Sequence, residues 1–305
     1  MTAGTDPIPG VSVDVDDLVR VRGQLSGISL KSLKRRSSFR SGAREIRMRG
    51  RGMEYEESRA YVSGDDMRTM DWRVMARTGE AHTKIFAEEK ERRYLLAIDL
   101  SSSMFFGTRY SFKSWAACFT AAHLGWLASE AGDRLGGLIV APNVHYEVRP
   151  GKTRTSLLAL FHHLAEISGS PQPEPDQSRL GFLLQELHRV VKPGSIINLI
   201  SDFVGIDQHS AEHLSLLTKH NDVNAFWIFD DIEREPWQPG QYPVRFPETV
   251  VDLNLASSNT RIWLHEQQSG HRDRIETLMA GLNIPLFALS CNDPLTPQIA
   301  RHLGF

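Results

Sequence analysis

Two short apolar runs in this sequence end in aspartates, and hydroxyl side chains follow the first of them. The run at 94–98 is followed by Asp99, Ser101 and Ser103 in a D-x-S-x-S pattern, and a later run ends in Asp202. A short apolar run flanked by charge is typical of a strand buried on both faces of a parallel sheet. Ligands bind beyond the carboxyl ends of such strands, so we expect Asp99 at a strand end beside solvent. Carboxylate and hydroxyl oxygens suit Mg²⁺, and the pattern therefore predicts a magnesium site there.

Further ligands for this site would come from elsewhere in the chain. Asp202 would face the same crevice as Asp99 if the two strands are neighbours at the point where the strand order reverses. A third hydroxyl ligand is expected from the loop between the two strands, just before a helical pattern, where Thr153 and Thr155 stand. We prefer Thr155 because it is closest to the helix start, and Thr153 is the alternative.

Other interpretations of these residues are weaker. Serine and aspartate after a strand also serve as ordinary helix N-caps. A metal-dependent hydrolase using the same oxygens would need a positioned base or a second metal ion, and the sequence shows neither near Asp99. Lys152 and Thr153 resemble the end of a phosphate-binding loop, but Tyr146 stands where its first glycine would be. A serine-hydrolase G-x-S-x-G pattern is absent from the sequence.

Composition indicates an ordinary globular protein. The chain has 305 residues, of which 41% are apolar, enough for one large domain or for one domain with a smaller one. No apolar run approaches the roughly 18 residues needed to span a bilayer, and the N-terminus lacks a signal-peptide pattern, so we expect a cytoplasmic protein. Cys118 and Cys291 stand in apolar or mixed contexts and are expected to be buried free thiols.

Strand and helix patterns alternate along most of the chain. This alternation predicts an α/β fold with a doubly wound, mostly parallel sheet. The predicted organisation has three parts, which are a partly disordered N-terminal segment at 1–49, an extended β-containing preamble at 50–90 and the α/β domain at 91–305.

Four local predictions within the α/β domain bear on the site or on the core. Residues 144–148 alternate in polarity and predict a hairpin with the strand at 135–140. Trp115 recurs with other apolar residues at helical spacing and is expected to be buried. A small hairpin is predicted through Val250, Leu253 and 261–264, and a helix at about 271–281 and a strand at 284–289 are predicted to complete the sheet.

The segment from Lys31 to Arg51 differs from the rest in charge. It carries nine lysines and arginines against the single Glu45, although the whole chain has a net charge of -2. Such a run can bind nucleic acid or anionic lipid. Few aromatic residues interleave with it to stack on bases, so we favour an exposed arm that pairs with acidic groups and expect no nucleic-acid partner.

A longer motif follows the basic arm. Residues 50–77 carry the pattern G-x-G-x-E-Y-x-x-x-R-x-Y-x-x-G-D-D-x-R-x-M-D-W-R-x-x-A-R, and a strand and D-x-S-x-S-M come after it. This order resembles the bacterial and archaeal family known as domain of unknown function fifty-eight, over about residues 50 to 203 and more loosely beyond. The aspartates and arginines of the motif also suggest a network of Arg–carboxylate pairs.

The resemblance carries implications for fold, site and partners. Members of that family are von Willebrand factor A-like proteins, often encoded beside MoxR-type AAA+ ATPases. The motif order is similar to the metal-ion-dependent adhesion site of von Willebrand factor A domains, in which two serines and a threonine coordinate Mg²⁺ or Mn²⁺ and a partner's carboxylate completes the shell. Carried over, the metal ligands are Asp99, Ser101, Ser103, Thr155 and Asp202. The implied function is metal-dependent protein binding, without catalysis, to a MoxR-type ATPase and an unknown client.

Overall fold

The chain divides into two compact units. A computed structural model describes residues 9–25, 53–62, 65–88, 92–151, 154–170, 179–234, 238–245 and 250–303. One unit is Ser38–Glu91, and the other combines Met1–Ser37 with Arg92–Phe305. The predicted basic arm, from Lys31 to Arg51, lies outside the described residues.

Helices and strands alternate through the larger unit. The α-helices of the described residues are α1 (Val15–Arg20), α2 (Trp72–Thr78), α3 (Lys113–Glu130), α4 (Arg154–Ser168), α5 (Leu180–Val190), α6 (Gln208–Thr218), α7 (Ser258–Gly281) and α8 (Leu295–Leu303). The strands are β1 (Met53–Ala60), β2 (His82–Glu88), β3 (Arg93–Asp99), β4 (Arg134–Val140), β5 (His145–Gly151), β6 (Ile196–Ser201), β7 (Asp222–Phe229), β8 (Gln241–Arg245), β9 (Val250–Asn254) and β10 (Leu286–Ser290). None of these helices is long and apolar enough to cross a membrane.

The smaller unit is built on the antiparallel pair β1 and β2, with α2 between them in sequence. Arg59 and Asp65 form an ion pair at 2.7 Å, as the predicted network requires. Asp66 and Asp71 have another role, because each accepts backbone N–H groups at the start of a helical turn. Such capping satisfies donors that have no partner within the helix. One pair of the predicted network is thus present, and two of its three aspartates also cap helical turns.

The central sheet has the strand order β10-β7-β6-β3-β4-β5. All neighbouring strands are parallel except β4 and β5, which form an antiparallel hairpin. The chain adds β4 and β5 on one side of β3 and then returns to add β6, β7 and β10 on the other side. The strand order therefore reverses between β3 and β6, and the predicted α/β, doubly wound and mostly parallel fold class is confirmed.

Strand β3 shows why this sheet needs helices on both faces. Its side chains alternate between two cores, with Tyr94, Leu96 and Ile98 in one, and Leu95 and Ala97 in the other. Successive residues of a strand point to opposite faces, so a run without polar residues buries both. Helices α1, α3, α4 and α8 cover the first face, and α5, α6 and α7 cover the second.

The segment before the smaller unit joins the first of these cores. Val13, Leu18, Val21 and Leu25 are buried there, and the Trp126 indole donates to the Leu18 carbonyl at 3.0 Å. This segment, with helix α1, therefore belongs to the larger unit.

Two local predictions in the larger unit were wrong. Residues 261–264 belong to α7, which starts at Ser258, whereas the sequence predicted a hairpin there; the hairpin is β8 with β9. Arg261 Nη1 donates to the Ala256 carbonyl at 2.9 Å and so holds the chain at the helix start. Trp115 was the second wrong prediction, because this side chain is only half-buried. It stands in the first turn of α3, and its ring stacks on that of Phe119 with 3.8 Å between the ring centroids.

Candidate functional site

Asp99 and Asp202 lie at the carboxyl ends of neighbouring strands. Strands β3 and β6 are paired in parallel up to Ile98 and Ile200, which places both aspartates at the point where the strand order reverses. Asp99 is 1% exposed and Asp202 is 2% exposed. The expectation that Asp99 lies beside solvent was therefore wrong, because the folded chain buries this strand end.

The Asp99 carboxylate is held by hydroxyl and amide donors. Its Oδ1 accepts the Ser101 backbone N–H at 2.9 Å and also the Ser101 hydroxyl, and its Oδ2 accepts the Ser201 hydroxyl at 2.7 Å. Burial raises the pKa of Asp99, and the nearby charge of Asp202 raises it further, against the opposing effect of these hydrogen bonds. The site therefore holds a carboxylate that would gain from a neighbouring positive charge.

The two serines of the D-x-S-x-S pattern are both at the site but differ in their contacts. Ser101 is 1% exposed, and its hydroxyl also accepts the backbone N–H of Arg179 at 3.2 Å. Ser103 Oγ is buried and has no hydrogen-bond partner of normal geometry among the described residues. It nevertheless lies close enough to Asp202 to help lower the pKa of that carboxyl. A buried hydroxyl that lacks a hydrogen bond of normal geometry is available as a ligand for a bound ion.

A buried lysine faces Asp202, and the sequence interpretation missed it. Lys113 Nζ, at the first residue of α3, donates to Asp202 Oδ2 at 2.9 Å and to Glu233 Oε1 at 2.7 Å. Burial alone would raise the pKa of Asp202, but the charge and hydrogen bond of Lys113, together with hydrogen bonds from Val204 and Ser103, lower it overall. Burial alone would lower the pKa of Lys113, but its two carboxylate partners raise it. The signal was available, because Lys113 is the only Asp, Glu, Lys or Arg between Arg109 and Glu130.

The backbone after Asp202 is strained. Phe203 has φ 56°, in the left-handed region that a bulky side chain rarely adopts. Its N–H donates to Ser201 Oγ at 2.8 Å, and the N–H of Val204 donates to Asp202 Oδ1 at 3.1 Å. Strain of this kind persists where the surroundings fix it, and it clusters at functional sites. Here it turns the chain sharply and fixes the direction of the Asp202 carboxylate.

A third strand end carries another buried aspartate. Asp230 follows β7, is fully buried, and accepts both the backbone N–H and the hydroxyl of Thr108 at 2.7 Å. Its own N–H donates to Glu233 Oε2 at 2.9 Å. Burial would raise the pKa of Asp230, but the bonds from Thr108 and the nearby backbone lower it overall. An apolar run that ends in aspartate, the pattern that identified Asp99, also marks this residue in the sequence.

Thr155 is not brought to the site, which corrects the predicted ligand set. Strand β5 runs antiparallel to β4, so that Val140 pairs with His145 and Leu135 pairs with Gly151. Because β3 is parallel to β4, with Asp99 opposite Val140, the chain after Gly151 continues from the opposite end of the sheet. The length of β4 separates the two ends by about 17 Å. Thr153 lies outside the described residues.

The remaining donors fit a hard divalent cation. Asp99, Ser101, Ser103 and Asp202 offer carboxylate and hydroxyl oxygens, which Mg²⁺ and Mn²⁺ prefer over softer ligands. Within the described ranges, no three His, Cys, Asp or Glu side chains form a group that could hold a metal ion. Binding would therefore depend on the serine hydroxyls as well as on the two aspartates.

The chain belongs to the family described as "Protein of unknown function DUF58", whose model matches residues 57–274. Uncharacterized proteins of Mycobacterium bovis and Mycobacterium tuberculosis are each 28% identical over 259 residues, covering 84% of this chain and 80% of theirs. The family that the sequence resembles is thus confirmed.

Two solved structures are similar to this chain at low sequence identity. BatB from Bacteroides thetaiotaomicron has a TM-score of 0.42 at 13% identity, covering 70% of this chain and 97% of that one. The SpRpn10 VWA domain has a TM-score of 0.38 at 9% identity, covering 70% and 94% respectively.

Proposed function

We propose that this protein is a Mg²⁺-dependent protein-interaction module, in which a divalent cation held by Asp99, Ser101, Ser103 and Asp202 presents a binding position to a partner. Mn²⁺ would serve in place of Mg²⁺. The observation that carries the proposal is the buried Ser103 hydroxyl, which lacks a hydrogen bond of normal geometry although it stands beside the strand-end carboxylate of Asp202. The protein acts by binding, without catalysis, on this account.

The energetics of the cluster favour a functional role. Replacing a buried ion pair by well-packed apolar residues is often neutral or stabilising, so buried charges contribute little to holding a fold together. Charged groups with shifted pKa values at the end of a sheet are functional-site candidates for that reason. A bound divalent cation would offset the charges of Asp99 and Asp202 and leave coordination positions for a carboxylate of the partner.

The surface beside the cluster is suited to protein contact. Phe106 is 38% exposed and Val204 is 37% exposed, and each follows one of the two motif segments. The Phe106 ring lies 5.8 Å from Lys113 Nζ, and the Val204 N–H contacts Asp202. Apolar side chains around a polar centre can bury area against a partner while the polar centre gives specificity.

The partner in this proposal is a MoxR-type AAA+ ATPase, with which the protein assists assembly, activation or metal insertion of a client protein in the cytoplasm. The support for this pairing is the family resemblance of the motifs from Gly50 to Asp202, because members of the family are often encoded beside such ATPases.

Affinity purification of the full chain from its native cells tests the proposal. The tagged protein would be isolated in Mg²⁺ and in chelator, together with Ser103→Ala and, as a matched control from the same turn, Ser102→Ala. We expect the ATPase to be retained by the wild type and by Ser102→Ala in Mg²⁺ only, and to be lost with Ser103→Ala. Equal retention in chelator and in Mg²⁺ would contradict the metal-dependent mechanism.

A further inference from the structure

We propose that Lys113 is a built-in competitor of the divalent cation: its ammonium holds Asp202 while the metal is absent and has to give up that contact when the metal binds. This inference rests on the proposed function, because it concerns the same cluster. It adds a residue that sets the affinity for the cation and links cation binding to partner binding.

The position of Lys113 is that of an internal counter-ion. Its side chain is 2% exposed and so is that of Asp202, and the two groups are 2.9 Å apart. A buried ammonium is tolerated only where it is paired, because its desolvation is otherwise very costly. Lys113 stands at the start of helix α3, and the charge of its ammonium is balanced there by the carboxylates of Asp202 and Glu233.

Glu233 gives Lys113 a second partner that does not depend on Asp202. Its Oε1 accepts from Lys113 Nζ at 2.7 Å, while its Oε2 accepts the backbone N–H of Asp230. Asp230 is itself fixed by Thr108, so Glu233 belongs to a braced turn after β7. Lys113 can therefore release Asp202 to a metal ion and remain paired, which makes exchange between the two cations feasible without leaving a buried charge alone.

Two consequences follow for cation binding. A positive charge at hydrogen-bond distance from a ligand carboxylate repels an incoming cation, so the free protein binds Mg²⁺ weakly. The metal-free protein is meanwhile stabilised, because Asp202 already has a positive partner. Loading is then favoured when a partner brings a further carboxylate, which links metal binding to partner binding.

Calorimetric Mg²⁺ titrations and thermal melts of the full chain test this role. The variants are Lys113→Met, Lys113→Arg and, as a control for net charge, Lys192→Gln at an exposed position. Removing the like charge in Lys113→Met should tighten Mg²⁺ binding by about tenfold or more. In chelator the same variant should melt about 5 to 10 °C below the wild type, and Mg²⁺ should restore much of that difference. Lys113→Arg and Lys192→Gln should show no tightening.

The outcomes separate this inference from the proposed function. If the wild type binds Mg²⁺ and Lys113→Met binds it no more tightly, Lys113 is not a competitor and the metal site still stands. If neither protein binds Mg²⁺ at millimolar concentration, both proposals are overturned. Should Lys113→Met fail to fold, Lys113→Gln retains a hydrogen-bond donor toward Asp202 while removing the charge, and the same tightening is expected of it.

Discussion

Two ion pairs at opposite ends of the central sheet differ in almost every physical respect. At the carboxyl end, Lys113 and Asp202 are 2.9 Å apart, and each side chain is 2% exposed. At the amino end, Arg92 and Asp222 are 3.4 Å apart, with side chains 42% and 32% exposed. The amino-end pair lies where solvent screens its charges, whereas the carboxyl-end pair is shielded from solvent.

This difference separates what the fold needs from what the site needs. An exposed pair contributes about 0 to 1 kcal/mol, so the amino end is close to neutral for stability. A buried pair is expensive to desolvate and seldom improves on apolar packing, yet it is strongly destabilising to break. The carboxyl end therefore carries charges that folding alone does not call for, next to the Ser103 hydroxyl that has no full partner.

Of the changes at charged groups, breaking the buried pair should have the largest effect. Asp202→Asn leaves the Lys113 ammonium with Glu233 as its remaining carboxylate, and we expect a loss of about 3 kcal/mol in the free energy of unfolding in chelator. The matched change at the amino end, Asp222→Asn, should alter stability by about 0.5 kcal/mol or less. Denaturant titrations of both variants measure the two values, and equal losses would remove the contrast between the two ends.

The pH dependence of stability should report on His123, a buried histidine of the same helix, α3, that carries Lys113. Burial lowers the pKa of His123 from 6.5 to about 4, although the Phe119 carbonyl opposes the shift. The unfolded chain takes up a proton below its higher pKa while the folded protein does not, so the stability present above about pH 6.5 is lost as pH falls toward 4.

We expect this loss to reach about 2 to 3 kcal/mol across that window. Denaturant titrations at several pH values would measure it. His123→Gln should remove this component of the slope, whereas His209→Gln, at an exposed position, should keep it. A wild-type slope unaffected by His123→Gln would show that this histidine does not titrate as a buried neutral ring.

Trp115→Ala should have an intermediate effect. The ring is half-buried and stacks on Phe119, so its removal loses part of an apolar contact without opening a closed cavity, for a cost of about 1 to 2 kcal/mol. Phe161, which is fully buried, supplies the control, because Phe161→Ala should cost about 3 to 5 kcal/mol. Thermal melts compare the two, and an equal loss would place Trp115 in the closed core.

Ser103→Ala should change stability least. Its hydroxyl is buried without a full partner, so the substitution removes a polar group that gains little from folding, and we expect a change within about 0.5 kcal/mol. Mg²⁺ affinity should nevertheless fall. A melt and a calorimetric titration on the same sample would show the two effects apart, and a loss of several kcal/mol would indicate a structural role for this serine.

The sequence was a good guide where the prediction depended on one strand at a time. The apolar runs before Asp99 and Asp202 identify buried parallel strands, and parallel strands bring their carboxyl ends to one edge of the sheet. The prediction that Thr155 is a ligand was wrong, because its position depends on the direction in which β5 runs. The alternating residues 144–148 predict a hairpin, and an antiparallel strand there already directs the following helix to the opposite end.

Other residues were missed because their meaning depends on packing. Lys113 stands out in the sequence as the single lysine or arginine of an apolar helix, but its carboxylate partners, Asp202 and Glu233, are known only once the chain is folded. The apolar residues Ile262 and Trp263 look like part of a strand, but they are exposed on α7. Burial, which decides both cases, is a property of the assembled fold.

The location of a bound cation tests the central claim most directly. Crystals of the full chain soaked in Mn²⁺, with anomalous diffraction data collected at the manganese edge, would reveal the ion without relying on activity or on a partner. The account predicts one peak coordinated by oxygens of Asp99, Ser101, Ser103 and Asp202, with Lys113 paired to Glu233 alone. No peak at this cluster at millimolar Mn²⁺, with the Lys113 contact to Asp202 intact, would contradict it.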